Sequence, residues 1–169
     1  MASVLALLIT LNPHLVASSI SVTEVPLPEV IAGASIIVLA KVEQIASVEY
    51  PNAKDDEPEL RVFDLKVEDV LKPRGGNTAG LKGTTIQVFD PRDKYQHDHY
   101  EQIRAGVISF VEKRYATKAG TVAEGDHLIF FLNEHPPADD FPLPRPYVLA
   151  VGQAYDLLAN KAAVVQLVK

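Results

Sequence analysis

The strongest constraint on the fold is a series of segments with the residue pattern of β-strands. Apolar residues at every second position place their side chains on one face of a strand, and β-branched residues favour this conformation. Phe63, Leu65 and Val67 follow this spacing and form a predicted inward face. The predicted strands are SIIVLAKVEQIASVEY (35–50), ELRVFDLKVEDVLK (59–72), TTIQVFDP (84–91) and GDHLIFFL (125–132). We therefore expect a mostly β protein.

The segments around these strands predict shorter elements. Residues 27–34, LPEVIAGA, predict a short helix with proline in its first turn. Residues 134–146 hold five prolines and predict an irregular, partly extended loop. Residues 147–169 carry two further apolar runs, which predict a final hairpin turning near Asn160 and Lys161.

Residues 96–118 carry two conflicting patterns. Their first half has apolar residues at helical spacing, whereas VISFV in the second half favours a strand, and a glycine separates the two. We expect a short helix or loop up to Ala105 and a strand from Val107 to about Tyr115. Helix and strand both remain open for residues 97–115.

Long strands, one or two short helices and a Pro-rich loop together predict a small, mostly antiparallel OB-like β-barrel. A closed barrel removes the exposed sheet edges that invite aggregation. Residues 20–169 are long enough to bury a continuous core without metal or disulfides, so we expect one barrel domain there.

The charge and composition argue against two classes of site. The net charge is −6 and the basic residues are scattered, whereas a phosphate-binding surface needs clustered positive charge. We therefore expect no nucleic-acid partner. The chain has no cysteine, which excludes a thiol nucleophile, a disulfide and a cysteine-based zinc site.

Residues 1–19 form an apolar N-terminal segment. Its core, VLALLITL, precedes Asn-Pro and several small residues, which is the outline of a signal peptide without the usual basic start. The run is far below the roughly 20 residues of a spanning helix. We expect no stable transmembrane span and an exported protein, whether periplasmic, cell-surface or secreted. The competing interpretation is a buried strand or helix of the mature domain. A retained segment would have to bury its apolar face against the domain or a partner, so Leu7 and Leu8 are candidate partner-binding residues.

The stretch DKYQHDHYEQ places His97 and His99 on either side of Asp98. Two imidazoles can ligate one divalent metal ion, and zinc requires a further protein ligand. The candidates for that ligand are Asp93, His127 and His135, none of them at a diagnostic spacing. The competing interpretation is a solvated polar loop.

No residue pattern predicts catalysis. Ser47 and Ser109 lie outside a Gly-x-Ser-x-Gly motif, and the glycine-rich residues 72–84 lack the Gly-Lys-Ser/Thr ending of a phosphate loop. We therefore expect no enzyme, and no resident cofactor unless His97 and His99 bind a divalent metal.

The proline-rich stretch FPLPRPYV suggests a binding surface. Extended proline-rich segments dock against another chain at a low entropic cost, and the competing interpretation is a stiff loop packed on its own barrel. The candidate partner-binding residues in it are Phe141, Pro142, Pro144 and Tyr147.

Five segments together resemble a known family. They are PEVIAGASIIVLAKVEQI, FDLKVEDVLKPRGG, TTIQVF, AEGDHLIFFL and YVLAVGQAYDLL. Their order and their core-and-turn patterns resemble the tissue-inhibitor-of-metalloproteinase-like, or netrin-module-like, OB barrels of exported bacterial proteins. The resemblance covers most of residues 28–169, and it implies a fold more than an activity. Against that pattern residues 93–123 form an insertion, in which specificity could lie.

The resemblance implies an exported, non-enzymatic module. The animal inhibitors that give the family its name chelate a protease zinc through an N-terminal cysteine, and this chain has none, so that mechanism does not carry over. We expect a binding or structural module that mediates protein–protein interaction or self-assembly. The alternative is a metal-binding protein or metal-dependent enzyme centred on His97 and His99.

Overall fold

The structure of the protein is a computed structural model that describes residues 20–51, 53, 56–73, 80–106, 110–136, 138–139, 141–144 and 146–168. Leu7 and Leu8 lie outside these residues. The strands are β1 (Ile20–Val25), β2 (Ile36–Val48), β3 (Leu60–Lys72), β4 (Thr85–Phe89), β5 (Phe110–Tyr115), β6 (His127–Glu134), β7 (Tyr147–Leu149) and β8 (Tyr155–Leu157). The helices are α1 (Leu27–Gly33), α2 (Pro91–Asp98), α3 (Tyr100–Arg104) and α4 (Lys161–Val168), with a 3₁₀ turn at Leu158–Asn160. Among the helices of this described part, none is long and apolar enough to cross a bilayer.

Five strands close into a barrel. β2 pairs with β3 on one side and with β6 on the other, and β4 and β7 complete the circuit between β3 and β6. Each of these pairings is antiparallel except β4 with β7, which is parallel. The prediction of a mostly β barrel with a few short helices is confirmed.

The main core fills this barrel with the apolar residues that predicted the strands. Phe63, Leu65 and Val67 are at most 4% exposed and belong to this core. In the register of β2 with β3 they lie opposite Ile45, Val42 and Ala40, respectively. Burying one side chain of this size contributes roughly 1.5–3 kcal/mol, so the pattern that favours the strands also stabilises the barrel.

One end of β2 is buried on both faces. Residues 36–40 are at most 9% exposed, and α4 packs against β3 and α1 near this end of the barrel. Lys72, at the end of β3, donates hydrogen bonds from Nζ to the carbonyl oxygens of Ile31 (2.8 Å) and Ala34 (2.6 Å). These carbonyls lie at the C-terminal end of α1, where a helix leaves acceptors unsatisfied.

The final hairpin predicted near Asn160 and Lys161 is wrong. β7 and β8 both pair with β6, and the chain then enters α4. Lys161 donates a hydrogen bond to a carboxylate oxygen of Asp69 in β3 at 2.9 Å, and Val164 is fully buried. Adjacent alanines favour a helix, and the contact with β3 buries its apolar side. The pattern failed because a short apolar run fits either element.

The open choice for residues 97–115 resolves into helices followed by a strand. Asp90 caps α2, accepting the backbone N–H of Arg92 at 2.9 Å, and a proline occupies the first turn. β5 then runs parallel to β1, with Tyr115 opposite Val25, outside the barrel circuit. The segment up to Ala105, expected as a short helix or loop, is helical, and the expected end of the strand at about Tyr115 is confirmed. Val107, where the strand was expected to begin, lies outside the described residues.

A second, smaller core lies beneath the proline-rich loop. Its buried residues are Tyr50, Leu60, Val62, Phe89, Phe141 and Leu143. The ring centroid of Phe141 lies 5.0 Å from that of Phe89 and 5.9 Å from that of Tyr50. The loop therefore packs on its own barrel through these rings, which are among the larger contributors to burial in a core.

Candidate functional site

Three recesses border α2 and α3. The first, which we call the acidic pocket, has a volume of about 330 Å³ and lies where α2 meets α3. Two others lie near the first turn of α2: an apolar pocket of about 340 Å³ and a polar pocket of about 130 Å³, both lined by Arg92. Residues from α2 thus line all three, which makes this helix the centre of the candidate site.

The acidic pocket lies between the chain after β2 and the junction of α2 with α3. Its lining residues are Pro51, Glu57, His97, Asp98, His99, Tyr100, Glu101 and Gln102. Three of these side chains, Glu57, Asp98 and Glu101, are carboxylates, and Asp98 forms an ion pair with Lys94 of α2. None of the described lining residues is Lys or Arg, which favours a cationic ligand over an anionic one.

His97 is fixed by stacking on the barrel. Its ring lies parallel to that of Tyr50, at 3.5 Å between centroids. Its Nδ1 is 3.8 Å from a carboxylate oxygen of Glu57, which is beyond hydrogen-bonding distance. One face of the imidazole is therefore occupied, and its polar edge lies near a carboxylate.

His99 is held by a different tyrosine. Its ring stacks on that of Tyr95, at 4.1 Å between centroids, and its Nδ1 lies 3.1 Å from the Tyr95 carbonyl oxygen. His99 lies between α2 and α3, whereas His97 belongs to the last turn of α2. His97 and His99 thus line the same pocket but are oriented by separate neighbours.

The expected metal ligands are not gathered at one point. In the described ranges no group of three or more His, Asp and Glu side chains could hold a metal ion. His127 pairs instead with Glu68, at 2.9 Å between Nδ1 and a carboxylate oxygen. His135 stacks on Phe141, at 4.5 Å between ring centroids.

The second core beneath α2 contains buried polar atoms without partners. Within the described residues, these atoms are the Tyr50 hydroxyl, Nδ1 of His97 and Nδ1 of His135. Burial lowers the pKa of His135, and Lys94 lowers it further. Burial raises the pKa of the Tyr50 hydroxyl, and Asp98 and Asp93 add to this shift. Three such atoms around one cluster are unusual, since buried polar groups are normally hydrogen-bonded.

The predicted partner-binding residues of the proline-rich loop differ in exposure. Phe141 is 8% exposed and belongs to the second core, whereas Pro142 and Tyr147 are half-buried and Pro144 is exposed. Phe141 therefore anchors the loop to the barrel, and Pro144 is the most exposed of these four residues.

The polar pocket at the start of α2 brings together carboxylates and guanidinium groups distant in sequence. Its charged lining residues are Arg61, Asp90, Arg92, Asp93 and Glu112. Burial raises the pKa of Asp90, while the N–H groups of Arg92 and Gln153 oppose the shift. Burial and the neighbouring Asp90 raise the pKa of Asp93 to about 6. Perturbed carboxyl groups in a recess indicate a functional site, although ion pairs of structural origin perturb pKa values too.

Sequence reasoning missed the polar pocket. The Asp-Pro pair at residues 90–91 is a recognisable helix start, and it could have indicated that Asp90 is a capping residue. Glu112 gave no signal, because an acidic residue in an alternating strand is usually on the solvent face. It is instead 4% exposed.

No protein-family model matches the chain, and no curated protein matches its sequence significantly.

Proposed function

We propose that the protein is an exported, non-enzymatic binding module built on an OB-type barrel, and that it binds a basic segment of another protein in the acidic pocket. The strand order supports the OB-type assignment. Around the barrel, the strands follow in the order first, second, third, fifth and fourth, which then returns to the first. An OB barrel is likewise a five-stranded Greek-key barrel.

The position of the acidic pocket supports a binding role. OB barrels bind ligands at the loops that join their first and second and their fourth and fifth strands. Here the first of these loops contributes Pro51 and Glu57 to the acidic pocket. The second loop supplies His135 and Phe141 to the aromatic cluster beneath α2. The pocket is thus built where this architecture places ligands.

The chemistry of the pocket favours a cationic partner. The observation that carries the proposal is the 330 Å³ recess lined by Glu57, Asp98 and Glu101, with no Lys or Arg among its described lining residues. Asp98 already forms an ion pair with Lys94, so Glu57 and Glu101 are the main acidic groups offered to a ligand. His97 lines the recess and stacks on Tyr50, and its Nδ1 and the Tyr50 hydroxyl are buried without a hydrogen-bond partner among the described residues. A Lys or Arg side chain would bring both positive charge and hydrogen-bond donors.

Export is supported by the N-terminal residues alone. The run VLALLITL and the small residues after it have the outline of an export signal. Fractionation of cells expressing the full chain tests this part separately, and retention in the cytosol would contradict it.

The binding proposal is tested by nuclear magnetic resonance. The ¹⁵N-labelled protein is titrated with tetralysine peptide at physiological salt, with tetraglutamate as the matched control peptide. We expect tetralysine to shift the amide signals of residues 97–102 and of Glu57, and tetraglutamate to leave them unchanged. The shifts should diminish at high salt, because exposed charge pairs are screened.

A pair of variants locates the interaction. Glu101→Gln removes one carboxylate of the pocket and should weaken tetralysine binding about threefold to fivefold, the usual effect of an exposed charge pair. Glu29→Gln removes the same charge from α1 and should leave the affinity unchanged. Equal weakening by both variants, or tetralysine shifts spread over the whole surface, would show a non-specific charge effect and refute the site.

The same titration distinguishes the two alternatives. In the first alternative, zinc added in place of the peptide saturates at one equivalent and shifts the amide signals of His97 and His99. If the His97→Ala and His99→Ala variants lost this saturable binding, metal binding would replace the proposal. Light scattering that showed a stable oligomer blocking the pocket would replace it with self-assembly.

A further inference from the structure

The apolar and polar pockets at the first turn of α2 meet at one buried carboxylate. Glu112 of β5 and Arg92 of α2 line both recesses. The side chain of Glu112 is 6% exposed, and its charged neighbour is Arg92, with 3.8 Å between Nε and a carboxylate oxygen. This distance exceeds that of a hydrogen bond. Glu112 is thus a charged, buried acceptor that a ligand could reach from either recess.

The other two carboxylates of the polar pocket already have donors. The oxygens of Asp90 accept the backbone N–H groups of Arg92 at 2.9 Å and Gln153 at 3.1 Å. Asp93 accepts the backbone N–H of Arg61 at 3.3 Å. The described residues donate no hydrogen bond to Glu112. Since a buried carboxylate is costly without donors, Glu112 is the acceptor in this pocket that a ligand would satisfy.

Gly152 opens the approach to Glu112 from the apolar pocket. A Cβ atom at this position would lie 3.1 Å from Oε1 of Glu112 and 3.2 Å from the Lys113 carbonyl oxygen. The backbone here is fixed, because Gly152 donates its N–H to the Lys113 carbonyl oxygen and accepts the N–H of Tyr115. A side chain would therefore crowd the carboxylate, and glycine leaves it accessible.

The wall of the apolar pocket suits a hydrocarbon chain. Its apolar lining comprises Pro91, Tyr95, Val111, Ala150 and Val151. Val111 is 59% exposed, which is high for a valine beside a recess of about 340 Å³. Covering such a surface stabilises a complex by roughly 25 cal/mol for each Å² of apolar area removed from water.

We propose that this composite recess binds a protonated primary amine carried on an alkyl chain, with the ammonium group donating to Glu112 and the chain lying in the apolar pocket. An ammonium has three donors and a positive charge, which matches an acceptor without donors. The two pockets together hold three carboxylates, two guanidinium groups and Lys113, so the preference for an ammonium group rests on the hydrogen-bond acceptor that Glu112 offers and not on a net negative charge. Arg92 neutralises Glu112 only in part, because its side chain is 43% exposed to water.

The probe is hexylammonium, titrated into the ¹⁵N-labelled protein. 1-Hexanol and hexanoate are matched probes that keep the alkyl chain and replace the positive headgroup with a neutral one and a negative one, respectively. We expect hexylammonium to shift the amide signals of Val111, Glu112 and Gly152, with little effect of the other two. Nα-acetyl-lysine N-methylamide carries the same ammonium group in a peptide setting. Tighter binding of hexylammonium would identify the ligand as a free amine, and tighter binding of the lysine derivative would identify it as a lysine side chain of a protein.

Three variants test the contacts. Glu112→Gln should weaken hexylammonium binding about tenfold, the effect of losing one charge-assisted hydrogen bond. Gly152→Ala should also weaken it, because the methyl group crowds the carboxylate, and it tests the proposal if Glu112→Gln does not fold. Arg92→Gln should tighten binding, because a competing cation is removed. Glu43→Gln, on β2, is the control of equal charge change.

The proposal is overturned if 1-hexanol or hexanoate shifts the same signals with equal affinity, or if Glu112→Gln folds and binds hexylammonium unchanged. Weaker binding in Arg92→Gln would overturn it as well, since that result describes an anion site. None of these outcomes would contradict the proposed binding at the acidic pocket, because the acidic pocket and the composite recess share no lining residue.

Discussion

The imidazole of His97 lies parallel to the phenol ring of Tyr50, with 3.5 Å between their centroids and 3° between their planes. This contact joins the C-terminal half of α2 to the end of the second core. It also buries the Tyr50 hydroxyl without a partner among the described residues. The histidine that first suggested a metal is thus also the residue that holds α2 on the barrel.

Two tyrosine-to-phenylalanine variants should differ in stability. Tyr50→Phe removes a buried hydroxyl without a partner, so the free energy of unfolding should stay equal or rise by up to about 1 kcal/mol. Tyr115→Phe removes the hydroxyl that donates a hydrogen bond to the buried carboxylate of Asp156 at 2.7 Å. This variant should lower the free energy of unfolding by about 1–3 kcal/mol. Urea denaturation at pH 7 measures both. A larger loss in Tyr50→Phe would reveal a partner for its hydroxyl.

Asp93 should make stability fall as the pH rises. Its pKa in the folded protein is raised to about 6, above the ordinary value near 3.8, so the folded state binds more protons between these values. Stability is therefore lost from about pH 4 to pH 6. Asp93→Asn should flatten this part of the profile and raise stability at pH 7 by about 1 kcal/mol, a value reduced for partial exposure. Thermal denaturation from pH 4 to pH 8 measures the profile, and an unchanged slope would refute the assignment.

His135 should make stability fall as the pH falls, which is the opposite of the effect of Asp93. Burial lowers its pKa from about 6.5, so the unfolded state binds the proton more readily than the folded state. Its stabilising effect is present above pH 6.5 and is lost as the pH falls through the folded-state pKa. His135→Phe keeps a ring against Phe141 and should remove this loss. His127→Gln, which also removes one histidine, is the control. A variant that destabilises equally at every pH would indicate a packing role alone.

The helix at the end of the chain should depend on one buried residue. Val164 is fully buried, whereas its neighbour Ala163 is exposed. Val164→Asp should cost at least about 3 kcal/mol, because it buries a charge without a partner. Ala163→Asp should change stability by less than about 0.5 kcal/mol. Circular dichroism with urea denaturation measures both, and equal effects would contradict the docking of α4 on the barrel.

Much of the fold could be predicted because strands leave a local signal. Phe63, Leu65 and Val67 alternate with polar residues, and they lie in the barrel core as expected. α4 could not be predicted with the same means. Its apolar residues have no period that separates a short helix from a strand, and its docking against β3 and α1 depends on residues far away in the chain.

The candidate site was predicted only in part. The stretch containing His97 and His99 does line a recess, but the orientation of each ring depends on Tyr50 and Tyr95, which stack on it. Phe141 was predicted as a partner-binding residue because it lies in a proline-rich loop, and its side chain belongs to the second core. An aromatic residue in a proline-rich loop packs on a partner or on its own domain with the same chemistry, and the sequence does not distinguish the two.

The sequence by itself determined the strand pattern and the polar stretch that carries His97 and His99, because these follow from the order of neighbouring residues. The tertiary structure decided which distant side chains meet. Glu112 became a buried acceptor only when β5 lay beside Gly152 and α2 brought Arg92 to it. Burial and partner distance govern the chemistry of a carboxylate, and both are properties of packing rather than of local sequence.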